Sequence, residues 1–229
     1  MGEYERLKIA GYNVESIDCD ILHDATFIKD GANGELYRLG VNECIKLWNW
    51  NSTLCSFYVD KLNKFTNLSV KCAVFPKKII FMKGKIQGYM MDYIEGSTID
   101  DCSTMEFSKF IYLYDKLLQN IRVELSRNSI RVTDIKSDNI MYDVVNDEFR
   151  CIDVDAWSFY DAKKFKRDVY DINFRQFKYV LEREMLGLSS QSSIQANDNL
   201  IEFYEGLRDK KEQMLGVKIK TVNDFKVLK

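Results

Sequence analysis

Asp134, Lys136 and Asn139 are the residues of this chain most able to do chemistry together. An acid, a lysine two residues on and an asparagine five residues on lead into the short apolar run Ile140-Met141-Tyr142. A carboxylate so placed can orient or deprotonate a hydroxyl. A neighbouring ammonium can offset developing charge. An amide oxygen can hold a hard metal ion. The plain alternative is a polar turn between a helix and a strand. Fourteen residues after Asn139, the segment Arg150-Cys151-Ile152-Asp153-Val154-Asp155 places a further acid at the end of a strand.

Composition narrows the classes. The 229 residues allow one large domain or two small ones, and 46% are apolar, enough for a sizeable core. With 33 basic and 35 acidic residues the formal charge is -2, which argues against nucleic-acid binding driven by bulk charge. Six cysteines at 19, 44, 55, 72, 102 and 151 form no C-x-x-C pair. Neither a zinc site nor a disulfide framework is expected from that spacing. The single histidine, His23, lies between Leu22 and Asp24 with no nucleophile motif near it, which excludes most Ser-His-Asp and Cys-His hydrolase chemistry. Met1-Gly2-Glu3-Tyr4-Glu5-Arg6 has no signal-like apolar core, and no run of about 18 apolar residues exists. The expectation is a reduced, cytoplasmic protein that binds neither membrane nor nucleic acid.

The elements that must position these residues read as strands first and helices later. Ala25–Lys29, Glu35–Leu39 and Glu43–Trp48 are predicted strands separated by glycine-bearing turns. A helix is predicted over Ser52–Leu68, then a hairpin, Lys77–Phe81 and Ile86–Tyr93, around Lys83-Gly84-Lys85. Ser103 and Glu106 have capping-box spacing. Behind them Phe107, Phe110, Ile111, Tyr114, Leu117, Leu118, Ile121 and Leu125 repeat every three or four residues, the strongest helical signal in the chain. Short strands at Ile140–Tyr142 and Phe149–Ile152 follow, joined at Asn146-Asp147, then helices over Asp168–Leu186 and Asn199–Met214.

Asp134-Ile135-Lys136-Ser137-Asp138-Asn139 resembles the catalytic loop of eukaryotic-type protein kinases, and Asp153 the aspartate of their Asp-Phe-Gly motif. Glu43-Cys44-Ile45-Lys46 is similar to their Val-Ala-Ile-Lys strand, and Gly31-Ala32-Asn33-Gly34-Glu35-Leu36-Tyr37 to the second half of their glycine-rich loop. The matches fall in the family's order between about residues 25 and 155. The resemblance implies an α+β, bilobal protein kinase-like fold. Residues 1–94 would form an N-terminal antiparallel β-sheet lobe with one helix, and residues 95–229 a truncated, mainly helical C-terminal lobe.

The same resemblance implies ATP with Mg2+ or Mn2+ as cofactors. Asp134 would be the acceptor's base and Lys136 a cation on the transferring phosphoryl group, with Asn139 and Asp153 as metal ligands. Lys46 would hold the α- and β-phosphates beneath the backbone at Gly31 and Gly34, and Asp60 would hold Lys46. Asp92 and Ile94 would offer backbone groups to adenine, beside Met91 as gatekeeper. Leu36 and Cys44 would line the top of the adenine slot and Met141 its floor. Each of these side chains also has a plain reading, as core or as a solvated polar group.

Departures from the family qualify the substrate. Val132-Thr133 replaces the usual His-Arg before the catalytic aspartate, so no activation-loop phosphorylation switch is expected. Val154-Asp155 replaces Phe-Gly, with Asp155 either a further metal ligand or the cap of the next helical turn. No Ala-Pro-Glu follows, the stretch beyond Asp155 is short, and Lys163-Lys164-Phe165-Lys166-Arg167 is either a solvated face or a dock for acidic groups. Asp168-Val169-Tyr170 is similar to the start of the helix whose aspartate braces the catalytic loop. The leading expectation is a kinase acting on protein Ser or Thr. Lys136 favours it over the second, a small-molecule kinase of the aminoglycoside or choline kinase type. The third is a pseudokinase that acts as an interaction module.

Overall fold

A computed structural model describes residues 2–17, 19–49, 52–161 and 168–228, with residues 19 and 52–57 described by backbone alone. The basic run at 163–167 lies outside the described residues. The chain is mixed α+β and divides into two compact units: Met1–Ser69 with Val74–Ile94, and Val70–Ala73 with Glu95–Lys229.

The first unit is built on a six-stranded sheet. Its elements are α1 (Glu3–Ile9), β1 (Val14–Ser16), a 3-10 turn (Cys19–His23), β2 (Thr26–Gly31), β3 (Gly34–Leu39), β4 (Glu43–Trp48), α2 (Ser52–Thr66), β5 (Lys78–Met82) and β6 (Lys85–Asp92). The strand order is β1-β5-β6-β4-β3-β2. Every neighbouring pair is antiparallel except β1 with β5, which run parallel with Val14 opposite Ile79. The expected purely antiparallel sheet with one helix is therefore extended. The first residues, which carry no motif, add a second helix and an edge strand. Leu7 and Ile17 are what they bury.

β4 lies inside the sheet, and its successive side chains, which point to opposite faces, are buried on both. Ile45 packs with Ile17, Ile80, Met82 and Met90, with Leu47 against the edge of that cluster. Cys44, Lys46 and Trp48 alternate to the opposite face, where the Trp48 ring meets Tyr58 of α2 and Tyr89 of β6.

The second unit begins with β7 (Gly96–Thr98) and a 3-10 turn (Ile99–Thr104), followed by α3 (Phe107–Asn120), which runs on as a π turn over Ile121–Leu125. Then come β8 (Ile130–Arg131), β9 (Ile140–Asp143), β10 (Glu148–Cys151) and β11 (Ser158–Phe159). α4 (Val169–Tyr179) runs on as a π turn over Val180–Met185, and α5 (Leu200–Leu215) and α6 (Val222–Val227) follow. β10, β9 and β7 form one small sheet, and β11 pairs with β8.

The apolar stripe of α3 is buried along its length, from Phe107 to Leu125. The capping box read at Ser103 and Glu106 does not form. Ser103 sits in the preceding 3-10 turn, and Glu106 begins α3 without a side-chain cap. The backbone there is tied to the C-terminal segment instead, with Phe107 N donating to Lys220 O and Val222 N to Met105 O. A capping box does form at Thr221 and Asp224, where it starts α6. In the β9–β10 turn, the buried Asp143 accepts hydrogen bonds from the Val145 and Asn146 amides and the Asn146 side chain. Burial opposes ionisation of Asp143, but these bonds and the Arg150 guanidinium outweigh it and hold the carboxyl below its ordinary range. Among the described residues no helix is long and apolar enough to cross a membrane.

Candidate functional site

In the second unit, Asn139 is the junction of the site. It ends the 3-10 turn Ser137–Asn139, and its own N–H donates to Lys136 O at 3.0 Å. Its side-chain Nδ2 donates to the Asp134 carbonyl at 2.9 Å. Its carbonyl accepts the Ile152 N–H at 2.9 Å, beside Asp153. Two hydrogen bonds through one residue thus gather Asp134, Asn139 and Asp153. The bond from Nδ2 orients the amide and leaves Oδ1 as an oxygen donor. Lys136 completes the group, its Nζ 3.1 Å from Asp134 Oδ1 with both side chains about half exposed. The Asp134 hydrogen bond and charge raise the Lys136 pKa above its ordinary value, and Asp153 adds to the effect.

Asp134 and Asp153 share a second property. Both sit in left-handed backbone, at φ 56°, and Asp153 has ψ 56°. That conformation costs an L-residue roughly 1–2 kcal/mol, least for Asp and Asn. Such strain persists only where the surroundings impose it. Here strand β10 ends at Cys151 and the chain turns at once into the 3-10 turn Val154–Ala156. Asp153 itself stands at the cap position of that turn. Asp155, read as a cap or a further ligand, is a buried residue within the turn and so is not its cap.

The segment after Asp155 is fixed to the strand preceding the loop. Thr133 Oγ1 donates to Ala156 O at 2.6 Å, Ser158 pairs with Arg131, and Tyr160 N donates to Ser129 O at 2.6 Å. Trp157 is buried beneath it. The Thr133 hydroxyl thus reaches the segment's backbone directly.

The brace of the loop is not the residue anticipated from Asp168-Val169-Tyr170. Asp168 caps α4, accepting from Tyr170 N at 2.8 Å. An acid immediately before a helix serves the free amides of its own first turn. Asn173, one turn further into α4 and fully buried, braces the loop. Its Oδ1 accepts the Val132 N–H and its Nδ2 donates to Ile130 O, each at 2.9 Å. An amide can serve both a donor and an acceptor, which an ionised carboxylate cannot. The signal was present as a polar residue on the buried stripe Val169, Tyr170, Phe174, Phe177. Asn173→Leu strands both backbone groups in the core and is expected to cost about 3 kcal/mol, read as a lower urea midpoint.

In the first unit, Lys46 lies on β4 opposite Leu36 and Tyr89 and is only 8% exposed. Gly31 and Gly34 flank the two-residue turn Ala32-Asn33. At Gly34 a Cβ would lie 2.1 Å from Leu47 O, so the glycine is required by the close approach of β4. Gly31 has open space, its nearest neighbour being Gly34 O at 3.6 Å. Cys44 and Met91 are buried opposite each other on β4 and β6. The Cys44 thiol is pushed up to about 12 by burial, with Asp92 and Glu43 adding to it, so it is no nucleophile.

The Cys44 thiol donates to the Asp92 carbonyl at 3.5 Å, and the Asp92 carboxylate pairs with Lys77. Ile94 is buried. Asp60, on α2, accepts the Tyr12 hydroxyl at 2.6 Å, a tie to the N-terminal segment. Met141, in the second unit, is half-buried on β9 opposite Arg150.

The donor set suits a magnesium-type ion. Asn139 and Asp153 offer hard oxygens and leave room for water and phosphate. Among the described residues no group of three or more His, Cys, Asp and Glu could hold a metal without such help. No family model matches the chain, and no curated protein matches it.

Proposed function

We propose that this chain is an ATP- and Mg2+-dependent phosphotransferase of the protein kinase-like type, its two units acting as the two lobes, and that it transfers the γ-phosphate to a protein Ser or Thr hydroxyl. The observation that supports this reading best is the junction at Asn139, which joins Asp134 and the turn at Asp153 with Lys136 on the Asp134 carboxylate.

In this mechanism the acceptor hydroxyl hydrogen-bonds to Asp134, which receives its proton as the oxygen attacks the γ-phosphorus. The bond to the β-phosphate oxygen breaks and ADP leaves with that electron pair. Lys136 offsets charge on the oxygens of the transferring group. Lys46 binds the α- and β-phosphates. Asn139 and Asp153 would hold the metal, which when bound neutralises charge on the β- and γ-phosphates. The Thr133–Ala156 hydrogen bond keeps the following segment seated without a phosphate on it.

The test is incubation with γ-labelled ATP and Mg2+ or Mn2+, with generic protein acceptors and a metabolite panel side by side. Label on protein Ser or Thr is the expected result. Label on a metabolite would move the assignment to a small-molecule kinase. Nucleotide-dependent thermal stabilisation without transfer of label would make the chain a binding module.

A further inference from the structure

The π turn that extends α4 carries two glutamates with different tasks. Glu182 is fully buried and accepts from Ser192 and from the Tyr204 hydroxyl, which ties α5 and the 192 loop to the turn. Glu184 turns elsewhere. Its Oε2 accepts the backbone N–H of Ser137 at 2.8 Å. Its own carbonyl accepts Lys226 Nζ at 2.7 Å, which fastens this point of the turn to α6.

Ser137 is buried and is the first residue of the turn that ends in Asn139. The first amides of a helical turn have no partner inside it. Left alone, the Ser137 N–H would be a buried, unsatisfied donor. Glu184 supplies the acceptor, and a carboxylate makes a shorter and stronger bond than a neutral group. The turn is thus held at both ends, by Glu184 at Ser137 and by the Asn139 side chain at Asp134. Lys136 lies between those two anchors.

We propose that Glu184 is a positioning residue for the phosphotransfer site. By holding the Ser137 amide it fixes the turn that presents Lys136 and the Asn139 oxygen. It touches neither nucleotide nor acceptor and acts only through this turn. The proposal rests on the phosphotransferase reading above, and its test separates the two.

The full chain is compared as wild type, Glu184→Ala and Glu184→Gln. Three properties are read: hydrogen exchange at the Ser137 amide without ligand, Mn2+ binding followed by electron paramagnetic resonance in the presence of ATP, and steady-state transfer of label. Glu184→Ala should expose the Ser137 amide to exchange, raise the Mn2+ concentration for half-binding about tenfold and lower kcat about tenfold. KM for ATP should stay within about twofold, because Lys46 and its strand are untouched. Glu184→Gln retains an acceptor oxygen and should restore most of each property. A Glu184→Ala protein with a lower melting temperature but wild-type Mn2+ binding and kcat would overturn the proposal, since a purely structural prop behaves that way. Equal impairment of the Gln and Ala variants would overturn it as well. If wild type binds Mn2+ and ATP but transfers no label, the phosphotransferase reading fails, and the exchange and Mn2+ results still decide the role of Glu184.

Discussion

Asp153→Asn is expected to reduce transfer of label from ATP by about a thousandfold. The substitution is chosen for what it keeps. Asparagine tolerates the left-handed backbone at φ 56° as well as aspartate does. The hydrogen bond that seats this turn belongs to the neighbouring residue, from Ile152 N to Asn139 O, and does not depend on the side chain. What is lost is one negative charge and one hard oxygen. In the proposed site Asn139 is the other ligand, so the metal would be held by two neutral amides. Such a pair cannot compete with water for Mg2+. The variant should therefore bind Mg2+ poorly and transfer almost nothing. Retention of a tenth or more of the activity would show that Asp153 is not a metal ligand.

Gly88→Ala is expected to destabilise the chain strongly, a loss on the order of 3 kcal/mol. Gly88 lies on β6 opposite Leu47 of β4. A Cβ there would sit 1.8 Å from the Lys46 carbonyl oxygen and 2.9 Å from its carbon. The obstructing atoms are backbone, so no side chain can rotate away. The two central strands would have to separate where Lys46 is held. Gly206→Ala is the matched control. Gly206 lies within α5 with nothing within 4 Å of its added carbon, and alanine favours a helix. That change should be neutral or stabilise by about 0.5–1 kcal/mol. Urea unfolding of both variants reads the contrast directly. Equal behaviour of the two would contradict the close approach of β4 and β6.

The sequence made some of this legible and hid the rest for physical reasons. The strands β2, β3, β4 and β6 announce themselves by alternation between glycine turns, and α3 by an apolar stripe that repeats at helical spacing. The helical runs at Asp168–Leu186 and Asn199–Met214 were legible too, although periodicity cannot tell an α turn from the π turns that end two of the helices. β1 escaped notice because it is three residues long, and its pairing with β5 is a parallel, long-range match with no local signal.

The capping box was misplaced for a related reason. S-x-x-E spacing at Ser103 is a local pattern, and the tertiary bridge to Lys220 and Val222 overrode it. At the site, residue types and order pointed to Asp134, Lys136 and Asn139 within one short loop and to Asp153 beyond the next strand, and the bonds from Asn139 to Asp134 and from Ile152 to Asn139 link these segments. The supporting residues Asn173 and Glu184 reach the loop over 41 and 47 residues. A single sequence marks Asn173 as a polar residue on an apolar stripe but does not mark its partner in the loop. Asp60 shows the same limit, since the tie to Tyr12 spans 48 residues.

The most direct test of the central claim is transfer of label from γ-labelled ATP with Mg2+ or Mn2+ by wild type and Asp134→Asn, with the labelled residue identified. Asparagine preserves the left-handed turn and the carbonyl that Asn139 holds, and removes the carboxylate proposed to accept the proton together with its ion pair to Lys136. The account predicts label on a serine or threonine hydroxyl with wild type, reduced at least a hundredfold in the variant. Equal labelling by the two proteins would contradict it.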